Sequence, residues 1–143
     1  MNIIGYEASP IEAKRFSHQG EHLANIRIDH NSTVTRINKV SDQTASAEFR
    51  FTANYSGMGY IKIEGSILLN GEVDALMQSW SASGSMPDPV ANLVHNAIVS
   101  NCIPTALLIA RDIRLPPPFP MPRINVQKKG EVNKRSQPGP EFA

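Results

Sequence analysis

Residues 45–71 read ASAEFRFTANYSGMGYIKIEGSILLNG. In the first part, Ala45, Ala47, Phe49, Phe51, Ala53 and Tyr55 fall on one parity. Ser46, Glu48, Arg50, Thr52 and Asn54 fall on the other. Side chains of an extended chain alternate between two faces, so this strict alternation specifies a strand with one dry and one wet face. The run SGMG follows, with two glycines suited to a tight turn. The alternation then resumes with Ile61, Ile63, Ile67 and Leu69 against Lys62, Glu64 and Ser66. Together these segments predict an antiparallel hairpin, and Asn70-Gly71 offers a second turn.

Upstream, residues 22–40 also read as β. Ala24, Ile26, Ile28 and Val34 share even parity, but Ile37 is odd. A parity change implies a bulge or a break, so either one bent strand or two strands fit. Residues 1–20 are mixed. Pro10 is expected to break any early element, leaving SPIEAKRF as one helical turn or an edge strand. Downstream the period changes. Val73, Leu76, Met77 and Trp80 suit a short helix. Pro87 and Asp88 then suit a helix start, and Val90, Leu93, Val94, Ala97, Ile98 and Cys102 form an apolar stripe. Pro104 is expected to kink this helix or begin another, with helix continuing to about Arg114. This helix is the natural cover for Phe49, Phe51 and Tyr55.

The bulk properties fit a soluble globular domain. The chain has 143 residues, 41% hydrophobic and 19% charged. Its net charge of +1 is unevenly spread, with an acidic body and a basic stretch after residue 110. The single cysteine, Cys102, excludes an intrachain disulfide and fits a reducing, cytoplasmic setting. The N-terminal residues lack the long apolar core of a signal peptide, and no apolar run reaches membrane-spanning length, so membrane insertion is not expected.

Residues able to do chemistry are scattered. His18 and His22 have a helical metal spacing, but His22 opens an expected strand and no acidic third ligand is placed beside them. His30 and His95 read as isolated histidines. Ser100, Cys102 and His95 share one expected helix without an orienting carboxylate, and Cys102 lies on the apolar stripe as a structural thiol. No phosphate-binding glycine loop occurs. The sequence points to no enzyme, no cofactor and no metal.

The proline run remains. Pro116, Pro117, Pro118, Pro120 and Pro122 favour extended polyproline II structure and make Phe119 and Met121 two apolar pegs on a stiff segment. Three readings follow: the pegs pack back on the domain, they border a groove for another chain, or the segment is itself a ligand for an aromatic-lined domain. Residues 126–143 read as a basic tail beyond a domain spanning 1–125.

The segments AEFRFTANYSGMGYIKIEGSILL and MPDPVANLVHNAIVSNCIPTALLIARDIRLPPPFPMP, in this order, resemble the SecB family of export chaperones and its small SecB-like relatives, including archaeal ones. The likeness covers roughly residues 20–125 and involves no catalytic signature. It implies an α+β fold: an antiparallel sheet of four strands packed on one long C-terminal helix. It also implies a homo-oligomer, dimer or tetramer, that holds unfolded or nascent polypeptides in apolar grooves without ATP or metal. On this resemblance Tyr55, Trp80, Leu115, Phe119 and Met121 are the client-binding candidates. SecB chaperones present acidic surface to the translocation motor SecA, whereas this chain ends in a basic tail. The resemblance therefore does not carry SecA docking or an export role over to this chain. Two other classes stay open. A ribosome- or RNA-associated factor would use Lys128, Lys129, Lys134 and Arg135 to neutralise phosphates. A small-molecule binding domain would use a pocket between sheet and helix.

Overall fold

The computed structural model describes residues 1–16 and 27–119. Four strands precede two helices: β1 (Asn2–Arg15), β2 (Ile28–Ser41), β3 (Thr44–Tyr55), β4 (Gly59–Asn70), α1 (Val73–Ser83) and α2 (Asp88–Asp112). The strands form one antiparallel sheet in the order β1-β4-β3-β2. The fold is α+β, with the hairpin β3–β4 at its centre and α2 packed against all four strands.

The alternation of residues 45–69 is realised in full. Ala45, Ala47, Ala53, Ile61, Ile63, Ile67 and Leu69 are completely buried, and Phe49, Phe51 and Tyr55 nearly so. Large residues oppose small ones across the hairpin: Leu69 faces Ala45, Ile67 faces Ala47, Ile61 faces Ala53, and Phe49 faces Gly65. Such complementarity lets two strands fill one layer at the density of a protein interior. On the other face the polar residues pair with one another. Arg50 meets Glu64 at 3.1 Å, Arg36 meets Glu48 at 3.2 Å, and Lys62 meets Glu12 at 3.5 Å. These exposed pairs add little to stability and chiefly keep this face wet.

Both edge strands absorb irregularities through bulges. In β2 the register shifts between Val34 and Arg36, where two residues oppose one on β3. This shift puts Ile37 on the core side with 4% exposure, so the parity change marks a bulge within one strand. Ala24 and Ile26, expected in the same strand, lie outside the described residues. β1 corrects the expectation that Pro10 breaks the first element. The strand passes through Pro10 with a register shift between Ala8 and Ile11, and another shift falls between Ile3 and Gly5. A proline lacks an N–H for the ladder and is accommodated where an edge strand bulges.

α1 extends beyond the expected span. It ends where Gly84 takes φ 69° and its amide bonds the Trp80 carbonyl at 2.8 Å. Val73 and Leu76 anchor it to the core. α2 is continuous through Pro104, which neither ends it nor begins another helix. Its buried stripe is Val94, Ile98, Cys102, Ala106 and Ala110, a strict four-residue repeat. Val90, Leu93 and Ala97, expected on that stripe, are only partly buried. Two polar links tie α2 to the sheet: His95 Nδ1 with Ser32 Oγ at 2.8 Å, and Cys102 Sγ with Tyr6 Oη at 3.7 Å.

Candidate functional site

Two features of the helical side of the molecule bear on function: what holds the prolines, and what leaves α2 uncovered. After α2 the chain crosses the end of the sheet as an extended strap. Its carbonyls accept hydrogen bonds at alternate residues. Arg15 of β1 donates to the Arg114 carbonyl, Tyr55 of β3 to that of Pro116 at 2.7 Å, and His30 of β2 to that of Pro118. Prolines have no N–H to satisfy, so carbonyl acceptors alone can fix such a segment against a sheet. Leu115 and Pro118 turn inward and are buried, while Pro117 stays exposed and Phe119 half-buried. His30 also stacks on Phe51, with centroids 6.3 Å apart.

Burial raises the pKa of Tyr55, whose hydroxyl supports the strap, to about 12. Burial, reinforced by the contact with Cys102, raises Tyr6 further, and burial also raises the Cys102 thiol. In each case the folded pKa lies above the unfolded one. The stabilisation is therefore complete below the unfolded value and is lost as pH climbs through the folded value. Unfolding is expected as pH rises from about 10 toward about 12. Tyrosinate absorbance from Tyr6 and Tyr55 should appear together with loss of circular dichroism. Ionisation of all three tyrosines in a still-folded protein would contradict the placement of these hydroxyls.

The outer surface of α2 is the second feature. Although no uninterrupted apolar run reaches membrane-spanning length, α2 as a whole is long and apolar enough by composition to cross a membrane, which corrects the sequence expectation; five of its residues, Val94, Ile98, Cys102, Ala106 and Ala110, are buried. Val99 and Leu108 are 39% and 54% exposed. Near its C-terminal end, Leu107, Leu108, Ala110, Arg111, Leu115 and Pro117 line an apolar groove of about 370 Å³ between helix and strap. Ligand pockets run roughly 300–1,000 Å³, so the groove has room for side chains of another molecule. A second concavity, of about 440 Å³, lies on the wet face, but its Glu48 and Glu64 are already paired with Arg36 and Arg50.

The client-binding candidates from the sequence are divided by the fold. Tyr55 and Leu115 are core residues, 2% and 5% exposed, so they support the strap and the groove floor rather than present open surface. Phe119 is half-buried on the strap. Trp80 belongs to α1, which leaves the sheet end marked by Asn70 and is tied to β2 through Lys39 and Asp74 at 3.0 Å. That end is opposite the one where Tyr55 holds the strap. Met121, Lys128, Lys129, Lys134 and Arg135 lie outside the described residues, as does the proposed tail 126–143. Sequence reasoning missed Leu107, Leu108 and Pro117 as groove walls and His30 as a strap donor. His30 shares the parity of Ile28 and Val34, which was a readable sign that its ring faces the helical side.

Among the described residues no three His, Cys, Asp or Glu side chains converge as a metal site. His95 is engaged with Ser32, and Cys102 with Tyr6.

A SecB-like chaperone of Mycobacterium tuberculosis, solved in complex with a ChAD peptide from an antitoxin, has a similar structure. The match has a TM-score of 0.53 and covers 81% of this chain and 82% of that one, at 7% sequence identity. The fold is SecB-like. No protein-family model matches the chain, and no curated protein matches it. At this identity the likeness concerns the path of the backbone.

Proposed function

We propose that this protein is an ATP-independent chaperone of the holdase type. It binds unfolded or nascent polypeptide by apolar contact and catalyses no reaction. The observation that carries this reading is the outer surface of α2, where Val99 and Leu108 stay exposed and an apolar groove opens beside the strap, on a SecB-like fold. The M. tuberculosis neighbour, itself a chaperone in complex with a peptide, supports a polypeptide as the ligand. The binding surface comprises the exposed part of α2 and the groove beside the strap, with Leu108 and Phe119 as accessible contacts. Trp80 and Met121 remain proposed contributors.

The test is suppression of aggregation of a reduced, unfolded protein. Full burial of a Leu or Phe side chain is worth about 1.5–3 kcal/mol, and 1.4 kcal/mol is a factor of ten. The double substitution Leu108→Ser and Phe119→Ser is expected to weaken protection about tenfold. Circular dichroism should stay near that of the wild type. Full protection by a folded double variant would remove these residues from the site, and a wild type that protects nothing would end the holdase reading.

We also propose that the chain works as a homo-oligomer, because among the described residues β1 and β2 are unpaired sheet edges and α2 keeps Val99 and Leu108 exposed. Sedimentation at micromolar concentration should give a dimer or tetramer, and a monomer of 15.7 kDa would contradict this.

A further inference from the structure

The strap lies in a seat built from groups that suit any extended polypeptide. Pro116, Pro117 and Pro118 have no N–H, so this stretch is fixed through its carbonyls. The donors are side chains of the sheet: Tyr55 reaches the Pro116 carbonyl at 2.7 Å, His30 that of Pro118, and Arg15 that of Arg114. Alternate carbonyls of an extended chain face the same way and recur in every sequence, so such a row reads backbone rather than side-chain identity. The core holds two of these donors in place. Tyr55 is 2% exposed, and His30 stacks on Phe51, itself 1% exposed. Leu115 and Pro118 are apolar pegs, both buried, while Pro117 between them is exposed. The four strands keep their places through backbone ladders. A segment without a ladder opens at a lower free energy than the sheet beneath it. Opening uncovers the Tyr55 and His30 donors together with the two hollows that Leu115 and Pro118 fill.

We infer that the strap's seat is a polypeptide-binding site filled by the protein's own chain, and that an extended apolar segment of an unfolded polypeptide displaces the strap from it. The occupant in place shows what the seat takes: apolar pegs at intervals along a backbone whose carbonyls face the sheet. The prolines make the strap a strong competitor, because a stiff segment loses little freedom on docking. The strap thereby sets how readily the seat is offered. This inference rests on the polypeptide-binding reading above and adds a covered seat, with its own regulation, to the open groove at Leu107 and Leu108.

The test uses the full chain and a fluorescein-labelled peptide with the strap sequence RLPPPF, residues 114–119. Pro117→Gly, alone and with Pro116→Gly, loosens the strap while keeping both pegs. Fluorescence anisotropy should show the peptide bound about threefold more tightly by the single variant than by the wild type, and about tenfold more tightly by the double variant. Excess reduced, unfolded protein should displace the peptide. Pro117 also lines the open groove; damage to that wall would lower binding, so the sign separates the two effects. Circular dichroism confirms folding. Val73→Ala, at a core position of α1 on the opposite end of the sheet, is the control for general loosening and should leave peptide affinity unchanged. Unchanged or weaker binding by both strap variants, an equal gain in Val73→Ala, or failure of the unfolded protein to compete would each overturn the inference. Suppression of aggregation by the wild type is measured alongside. If it occurs without the gain in peptide binding, the covered seat is wrong and the chaperone reading stands; if neither occurs, both fall.

Discussion

Phe49→Ser is expected to unfold much of the protein population near physiological temperature. Phe49 is 2% exposed, faces Gly65 across the hairpin, and stacks on Tyr6 with ring centroids 5.9 Å apart. Removing a buried phenylalanine ring costs about 3–5 kcal/mol, and a serine hydroxyl left without a partner adds to this. Whole domains are stable by only about 5–15 kcal/mol. A loss of that size lowers the melting temperature by roughly 10 °C or more in a chain of this length. Differential scanning calorimetry checks the prediction. A melting temperature within a few degrees of the wild type would mean that the hairpin face is not the core.

The second large effect is expected from Gly65→Val. Gly65 lies midway along β4, on the core parity, where any residue but glycine would ordinarily pack better. A Cβ there would run into the Glu7 carbonyl oxygen and approach the Ala8 Cα to 2.9 Å. β1 passes close to β4 at this point, next to the register shift between the Ala8–Gly65 and Ile11–Ile63 pairs. Because the obstacle is backbone, the strand itself must move, and a cost of about 3 kcal/mol is expected. Hydrogen exchange should show protection lost first along Asn2–Arg15, while β3 and β2 keep theirs. Unchanged protection of β1 would show that the strand yields without losing its ladder.

The central hairpin was legible because its pattern is local and unbroken: every odd position from Ala45 to Tyr55 is apolar, and the same parity continues through Leu69. β1 was not legible for the opposite reason. Its core-side residues change parity twice, from Ile3 to Tyr6 and Ala8, and then to Ala13, because two register shifts intervene. A period-two search cannot follow a strand that bulges twice in fourteen residues. α2 was readable as a helix, but its buried face was only partly so. Apolar residues occur nearly all round it, and the sheet selects the line Val94, Ile98, Cys102, Ala106 and Ala110. That surplus of apolar residues is the same property that leaves a surface available to a partner.

The strap illustrates the limit of sequence for a site. Five prolines foretell an extended segment, and one of the three readings had it packing back on the domain. Nothing in their order reveals that Arg15, Tyr55 and His30, from three different strands, converge on alternate carbonyls. Such a site exists only once β1, β3 and β2 are laid side by side. The same holds for Leu107 and Leu108, which become a groove wall when Leu115 and Pro117 pass beside them.

The central claim, that polypeptide binds on the α2 side of the sheet, is tested most directly by site-specific photo-crosslinking. A photoreactive phenylalanine analogue is placed at Leu108 in one preparation and at Lys62, on the wet face, in another. Each is then irradiated with a reduced, unfolded protein. Strong crosslinks from position 108 and few from position 62 are the predicted result; equal crosslinking from both positions, or none from position 108, would contradict the account.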